Sequence, residues 1–223
     1  MNHATLKISL ALAFATQAAV ASAASPLTTW LTNGATSSEA GAVTFDFGAS
    51  AATDNTKAVV TGYSATSGIA SYSGGDLFNL SVAGISGKAA RPVGSTGNFW
   101  TIGAGETGTV TFSGQGVSYY GFLWGSPDIA NWNDVTFYNG ATVLGHFDGT
   151  VTKLNNAWPN SIFFNVSTGN GPAITSIKFT ANQPAFEMDN HAMIAAVPEP
   201  ETYAMMVAGL ALMGGIARRR KSA

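Results

Sequence analysis

Between Trp124 and Asp134 the chain reads W-G-S-P-D-I-A-N-W-N-D. Trp132 stands there among Asp128, Asn131, Asn133 and Asp134, with Trp124 at the start of the stretch. An aromatic face can stack on a sugar ring while carboxylates and amides bond the sugar hydroxyls. Trp124, Asp128, Asn131, Trp132 and Asn133 are therefore the candidate glycan-binding residues. The oxygens of Asp128, Asn131, Asn133 and Asp134 also suit calcium, which takes about six to eight hard oxygen ligands, although their spacing is not that of an EF-hand loop. The ordinary role competes with both: Asp and Asn bond nearby backbone in turns, and tryptophans pack more often than they bind.

A second set lies further on. Glu187 and Asp189 are two apart, so on a strand both side chains take one face. Two like charges there repel, which points to a cation between them. Asp46, on an early strand, could complete a structural calcium site with Glu187 and Asp189. The alternative is a solvent-facing pair that guards an edge strand against aggregation.

Catalytic sets are scarce. There is no cysteine, which excludes thiol nucleophiles, thiolate zinc sites and iron–sulfur clusters. His3 lies in the leader, so only His146 and His191 remain, and no base–nucleophile partner for His146 is identifiable. No G-x-S-x-G motif occurs. Asp128 with Glu187 could form a glycosidase dyad, but nothing in the sequence selects that pair. No catalytic residue is assigned, and the chain is not expected to be an enzyme.

The elements that must carry these residues read as strands. Turn-forming Gly, Ser, Thr and Asn recur between short β-branched and aromatic runs, the pattern of a sandwich or barrel. Strands are expected at 43–47, 57–63, 76–82, 108–113, 117–124, 134–138, 141–147, 161–166, 173–180 and 185–194. Val117 to Trp124 is almost continuously apolar, as for a central strand covered on both faces. Asn139-Gly140 between alternating runs predicts a hairpin with a type I′ turn, in which both central residues take positive φ. No window has a helical period. Residues 24–42 are expected to be an irregular lead-in. The fold class is all-β: a single antiparallel β-sandwich, jelly-roll-like, over residues 24–196.

Within that span ten acidic residues face five basic ones. An acidic surface with few charges argues against nucleic acid. Rich in Ser, Thr, Asn and Gly, it suits contact with neutral polymers such as polysaccharide.

The two ends are processing segments. Lys7 precedes an apolar run from Ile8 to Val20, and Ala21 and Ala23 place small residues at −3 and −1 of a cleavage site. Residues 1–23 read as a signal peptide for the Sec translocon and signal peptidase. Residues 197–223 hold three parts in order: Pro198-Glu199-Pro200, an apolar run from Tyr203 to Ala217, and the basic block Arg218-Arg219-Arg220-Lys221. The prolines keep the backbone out of helix. The run can enter the bilayer, and the cations stay at the cytoplasmic face. Fifteen helical residues reach about 22 Å, short of the roughly 30 Å hydrocarbon core, and snorkelling arginines help close the gap.

This tail resembles the PEP-CTERM sorting signal that exosortases process in Gram-negative bacteria. The segment G-F-L-W-G-S-P-D-I-A-N from Gly121 is similar to a G-x-x-W-G-S-x-D-x-x-N core of exosortase-dependent surface proteins, and Phe186-Glu-Met-Asp-Asn190 to their closing strand, with His191 standing where an apolar residue is more usual. The resemblance implies a precursor anchored in the inner membrane, export to the cell surface or extracellular matrix, and an all-β domain. It brings no catalytic residue. Two functions are compatible with it: a module that binds exopolysaccharide, or a passive structural envelope protein. A glycoside hydrolase is the less favoured third.

Overall fold

The computed structural model describes residues 27–48, 58–152, 160–197 and 205–214. The expected leader with Ala21 and Ala23, the Pro198–Pro200 motif and the basic block 218–221 lie outside them. Residues 205–214 form a solvent-exposed helix. Among the described residues no helix is long and apolar enough to cross a membrane.

The body is a sandwich of two antiparallel sheets. Its strands in chain order are β1 (Thr28–Thr32), β2 (Val43–Phe45), β3 (Ser64–Ser67), β4 (Ala70–Ser73), β5 (Asp76–Phe78), β6 (Phe99–Ile102), β7 (Thr107–Phe112), β8 (Val117–Gly125), β9 (Asn133–Asn139), β10 (Thr142–Asp148), β11 (Ser161–Ser167), β12 (Ser176–Ala181) and β13 (Phe186–Ala195). The first sheet runs β1-β11-β8-β13-β6-β5, with β2 also beside β13; the second runs β10-β9-β12-β7-β4-β3. The irregular lead-in expected for 24–42 is corrected by β1, which pairs with β11 from Thr28↔Ser167 to Thr32↔Phe163.

Burial explains the two sheets. In β7, Gly108, Val110 and Phe112 are buried and their neighbours are not, so one face of the second sheet meets the core and the other meets water. The first sheet is covered on both sides. Tyr120, Phe122 and Trp124 of β8 enter the core between the sheets. Tyr119 and Leu123 of the same strand join a small outer cluster with Phe163 and Ala192. A second outer cluster holds Phe78, Leu80, Ala89, Phe99 and Ala185. Segment 33–42 and the long β5–β6 loop lie over this outer face.

Two local details differ from expectation. The β9–β10 loop consists of Gly140 and Ala141, because Asn139 pairs with Thr142. Only Gly140 has positive φ (54°), and Asn139 does not. Positive φ at the first loop residue alone is the type II′ pattern, not type I′. In β13, Asp189 pairs with Leu123 and Ala192 with Gly121, so one extra residue is accommodated at Asn190, whose φ is 50°. This bulge resets the alternation. Glu187 and Asp189 face outward, and His191 then turns into the core. Six aromatic rings lie within 6.1 Å of the His191 ring, and Tyr120 Oη sits 2.5 Å from its Nδ1. An imidazole occupies an otherwise apolar position because the bulge aims it there and a tyrosine satisfies one of its nitrogens.

Candidate functional site

Strand β8 ends at Gly125, and the chain turns through Ser126 (φ 45°) to Asp128 and through Asn131 (φ 63°) to Trp132. Asp128 is pinned on two sides. Asn133 Nδ2 donates to its Oδ2 at 2.5 Å, and Gly149 packs so close to its backbone that no Cβ would fit there. The opposite wall comes from the β5–β6 loop. There Ile85 N donates to Ala89 O at 2.8 Å, closing a tight turn with its tip at Ser86-Gly87-Lys88. Just beyond, Ala90 N donates to Glu187 Oε1 at 2.9 Å. Between these walls lies a cavity of about 430 Å³, lined among others by Ser86, Lys88, Asp128, Trp132 and Glu187.

The two carboxyls come together through sheet pairing. Glu187 of β13 is in register with Gly125 of β8, three residues before Asp128. Burial pushes the Asp128 carboxyl up to about 6 against the opposing bond from Asn133. Burial also holds Glu187 well above the usual carboxylate range, and the nearby Asp128 charge adds to this. Glu187 is 4% exposed, and its Oε2 has no hydrogen-bond partner among the described residues. The cavity thus offers two carboxyls that hold their protons more tightly than exposed ones, beside a half-buried indole. Carboxyls of this kind both donate to and accept from hydroxyl groups.

The expected glycan set is divided by the structure. Asp128 and Trp132 line the cavity. Asn133 is buried and serves Asp128 and Ala185 O. Asn131 is exposed at its turn, where its backbone oxygen accepts from Asn182 Nδ2 at 2.7 Å. Trp124 is corrected outright: it is 0% exposed and its ring stacks on Phe186 at 4.7 Å in the core, so no ligand reaches it.

The carboxylates of the expected calcium site have other partners. Asp189 is 0% exposed; it accepts from Ser95 Oγ at 2.5 Å and from Asn190 N at 2.7 Å. Burial pushes it up to about 6, partly offset by those donors. Asp46 accepts from Gly48 N. No group of three or more metal-ligating side chains occurs among the described residues. The edge-guard alternative is corrected too, since β13 is a central strand and both carboxyls are buried. Burial raises both pKa values, and hydrogen-bond donors oppose part of each shift.

His146 does have partners that sequence could not identify. Thr136 Oγ1 lies 2.9 Å from its Nδ1, and Asp134 lies 3.4 Å from its Nε2. The three stand on the water-facing side of the β9–β10 hairpin, away from the residues that line the cavity. What sequence reasoning missed at the cavity is Lys88 with its loop, and the role of Glu187 opposite Asp128.

Residues 196–221 match the PEP-CTERM protein-sorting motif. That motif implies a sorted, exported, membrane-associated surface protein processed by an exosortase. Comparison with curated proteins and with solved structures gives no match.

Proposed function

We propose that the sandwich is a carbohydrate-binding surface module. In this reading its C-terminal signal delivers it to the envelope or extracellular matrix, and it holds exopolysaccharide in the cavity of Asp128, Trp132 and Glu187. Sec translocation and signal peptidase act on residues 1–23. The exosortase then acts near Pro198–Pro200 to free the domain from the inner membrane. The observation that carries the ligand is Glu187 Oε2, a carboxyl oxygen without a partner among the described residues, on a residue that is 4% exposed and lines a cavity. An unmatched buried polar atom costs about 1–3 kcal/mol, and a ligand hydroxyl would repay it.

The jelly-roll reading of the fold is supported by the last eight strands. Strands β6, β13, β8 and β11 are neighbours in one sheet, and β7, β12, β9 and β10 in the other. The chain changes sheet at every step among them except the β9–β10 hairpin. Lectin domains use this architecture, but fold analogy alone assigns no ligand.

The test is Trp132→Ala in the full chain, measured for glycan-array binding and for melting. Loss of an aromatic anchor should weaken binding by about 10- to 1000-fold with a modest change in stability. Unchanged binding with a fall of about 3–5 kcal/mol would make Trp132 a packing residue and favour the passive structural reading. Release of new reducing ends from a bound glycan would instead make Asp128 and Glu187 a hydrolytic pair.

A further inference from the structure

Register places a row of side chains across the outer face of the first sheet. Asp76 of β5 pairs with Thr101 of β6, and Thr101 pairs with Glu187 of β13. Glu187 pairs with Gly125 of β8, and Gly125 with Ser161 of β11. Residues opposite one another in a ladder share a face, so all five point away from the core. One end of the row is roofed. Val93 N donates to Ser161 Oγ at 2.7 Å, and a Cβ on Gly125 would lie 2.8 Å from Pro92 Cγ.

The remainder, Asp76–Thr101–Glu187, is open to cavities. Glu187 belongs to the cavity already described. Asp76 and Thr101 line a second of about 550 Å³, together with Thr61, Ala104 and Glu106. Both cavities are bordered by Gly87, Lys88 and Pro184. Each contains a buried oxygen with no partner among the described residues: Glu187 Oε2 in the first and Thr101 Oγ1, on a residue 2% exposed, in the second. Two such atoms side by side on adjacent strands call for one polar occupant running across the strands.

We propose that the two cavities form one cleft, floored by Asp76, Thr101 and Glu187 and crossed by the Gly87–Lys88 tip, that holds an internal stretch of a non-anionic polysaccharide. The inference rests on the glycan reading of the first cavity. Strands lie about 4.8 Å apart, so Asp76 and Glu187 are about 10 Å from each other, the reach of a disaccharide rather than a single sugar. The charge of the lining sets the class of glycan. In the second cavity two acidic residues, Asp76 and Glu106, stand against the single basic residue Lys88. A uronate or sulfated chain would bring like charge into a half-enclosed site, whereas hydroxyls or protonated amines would meet acceptors.

The experiment titrates the full chain, in mild detergent, with cello-, malto- and chitosan-oligosaccharide series from one to six sugars, and with polygalacturonate. Affinity should rise on the order of 10-fold or more from monosaccharide to tetrasaccharide in one of the neutral or amine series, and polygalacturonate should not bind. Thr101→Val should remove that gain and leave monosaccharide binding intact. Ala104→Trp, at an exposed position on the second cavity, should do the same by filling it, and covers the case that Thr101→Val fails to fold. Affinity independent of length, or a gain untouched by the variant that folds, overturns the extended cleft and leaves the first cavity standing. Tight binding of polygalacturonate overturns the charge argument. Silence across all series overturns both this inference and the glycan reading it rests on.

Discussion

Burial holds the Glu187 carboxyl well above the usual carboxylate range, and this makes stability depend on pH in a specific direction. A carboxyl whose folded pKa is raised binds more protons in the native state than in the unfolded chain. Its contribution is fully present below pH ~4 and is lost as pH rises through its folded pKa. Asp128 and Asp189, pushed up to about 6, lose theirs between pH ~4 and 6; Glu187 loses its contribution as pH rises through its own raised pKa. His191 acts in the opposite sense. Burial lowers it to about 3, so the unfolded chain takes up a proton first and stability is lost as pH falls from ~6.5 towards 3. The opposing slopes flatten the profile of the native protein. Glu187→Gln keeps an acceptor for Ala90 N and removes the ionisation, so it should stabilise the fold at pH 8 and do little at pH 4. Urea denaturation at both pH values measures this; an equal effect at both would mean that Glu187 is not held protonated.

At the scale of elements, Gly140 is a position where a side chain would introduce strain. It takes a φ of 54° with open space around its Cβ position, so a side chain there meets a backbone penalty and no clash. Gly140→Val should cost about 1 kcal/mol or more; a melting temperature equal to the parent's would contradict the II′ assignment. The hairpin was legible because Asn-Gly separates two alternating runs, but its turn sits one residue later because Asn139 stays in the ladder, with its side chain donating to Ala173 O at 2.7 Å. The central place of β8 was legible from its unbroken apolar run. Strands β3 and β4 were not, since four residues each around Gly68 are too short to show a period. Nor was β6, whose Phe99-Trp-Thr-Ile102 is buried on both faces and does not alternate. The predicted 57–63 strand reduces, among the described residues, to an isolated bridge of Val60 with Leu77. Asp128 and Trp132 could be singled out because acids, amides and an indole cluster locally. Glu187 reaches the same cavity only through the β8–β13 register, a contact between residues some sixty positions apart, and no local pattern encodes that.

At the scale of the whole molecule, the tail leads to a testable prediction about orientation. In cells lacking an exosortase, the precursor should sit in the inner membrane with residues 24–196 outside and its C-terminus in the cytoplasm, because four consecutive cations precede the last two residues. A phosphatase fused to the C-terminus should be inactive, and an active fusion would reverse the assignment. Replacing Arg218–Lys221 with Gln should let part of the population translocate. The sorting motif begins at Ala196, whose N–H still donates to Gly116 O at 2.9 Å directly after β13. That strand is bonded to β8 along one edge and to β6 and β2 along the other. Tension arriving from the tail therefore enters the domain along a strand gripped on both sides. It must slide β13 past its neighbours and rupture many hydrogen bonds together, where a tether on a border strand would unzip them singly. While the tail holds the precursor, its mechanical attachment point is a strand clamped on both sides, and drag on the domain would be resisted in shear.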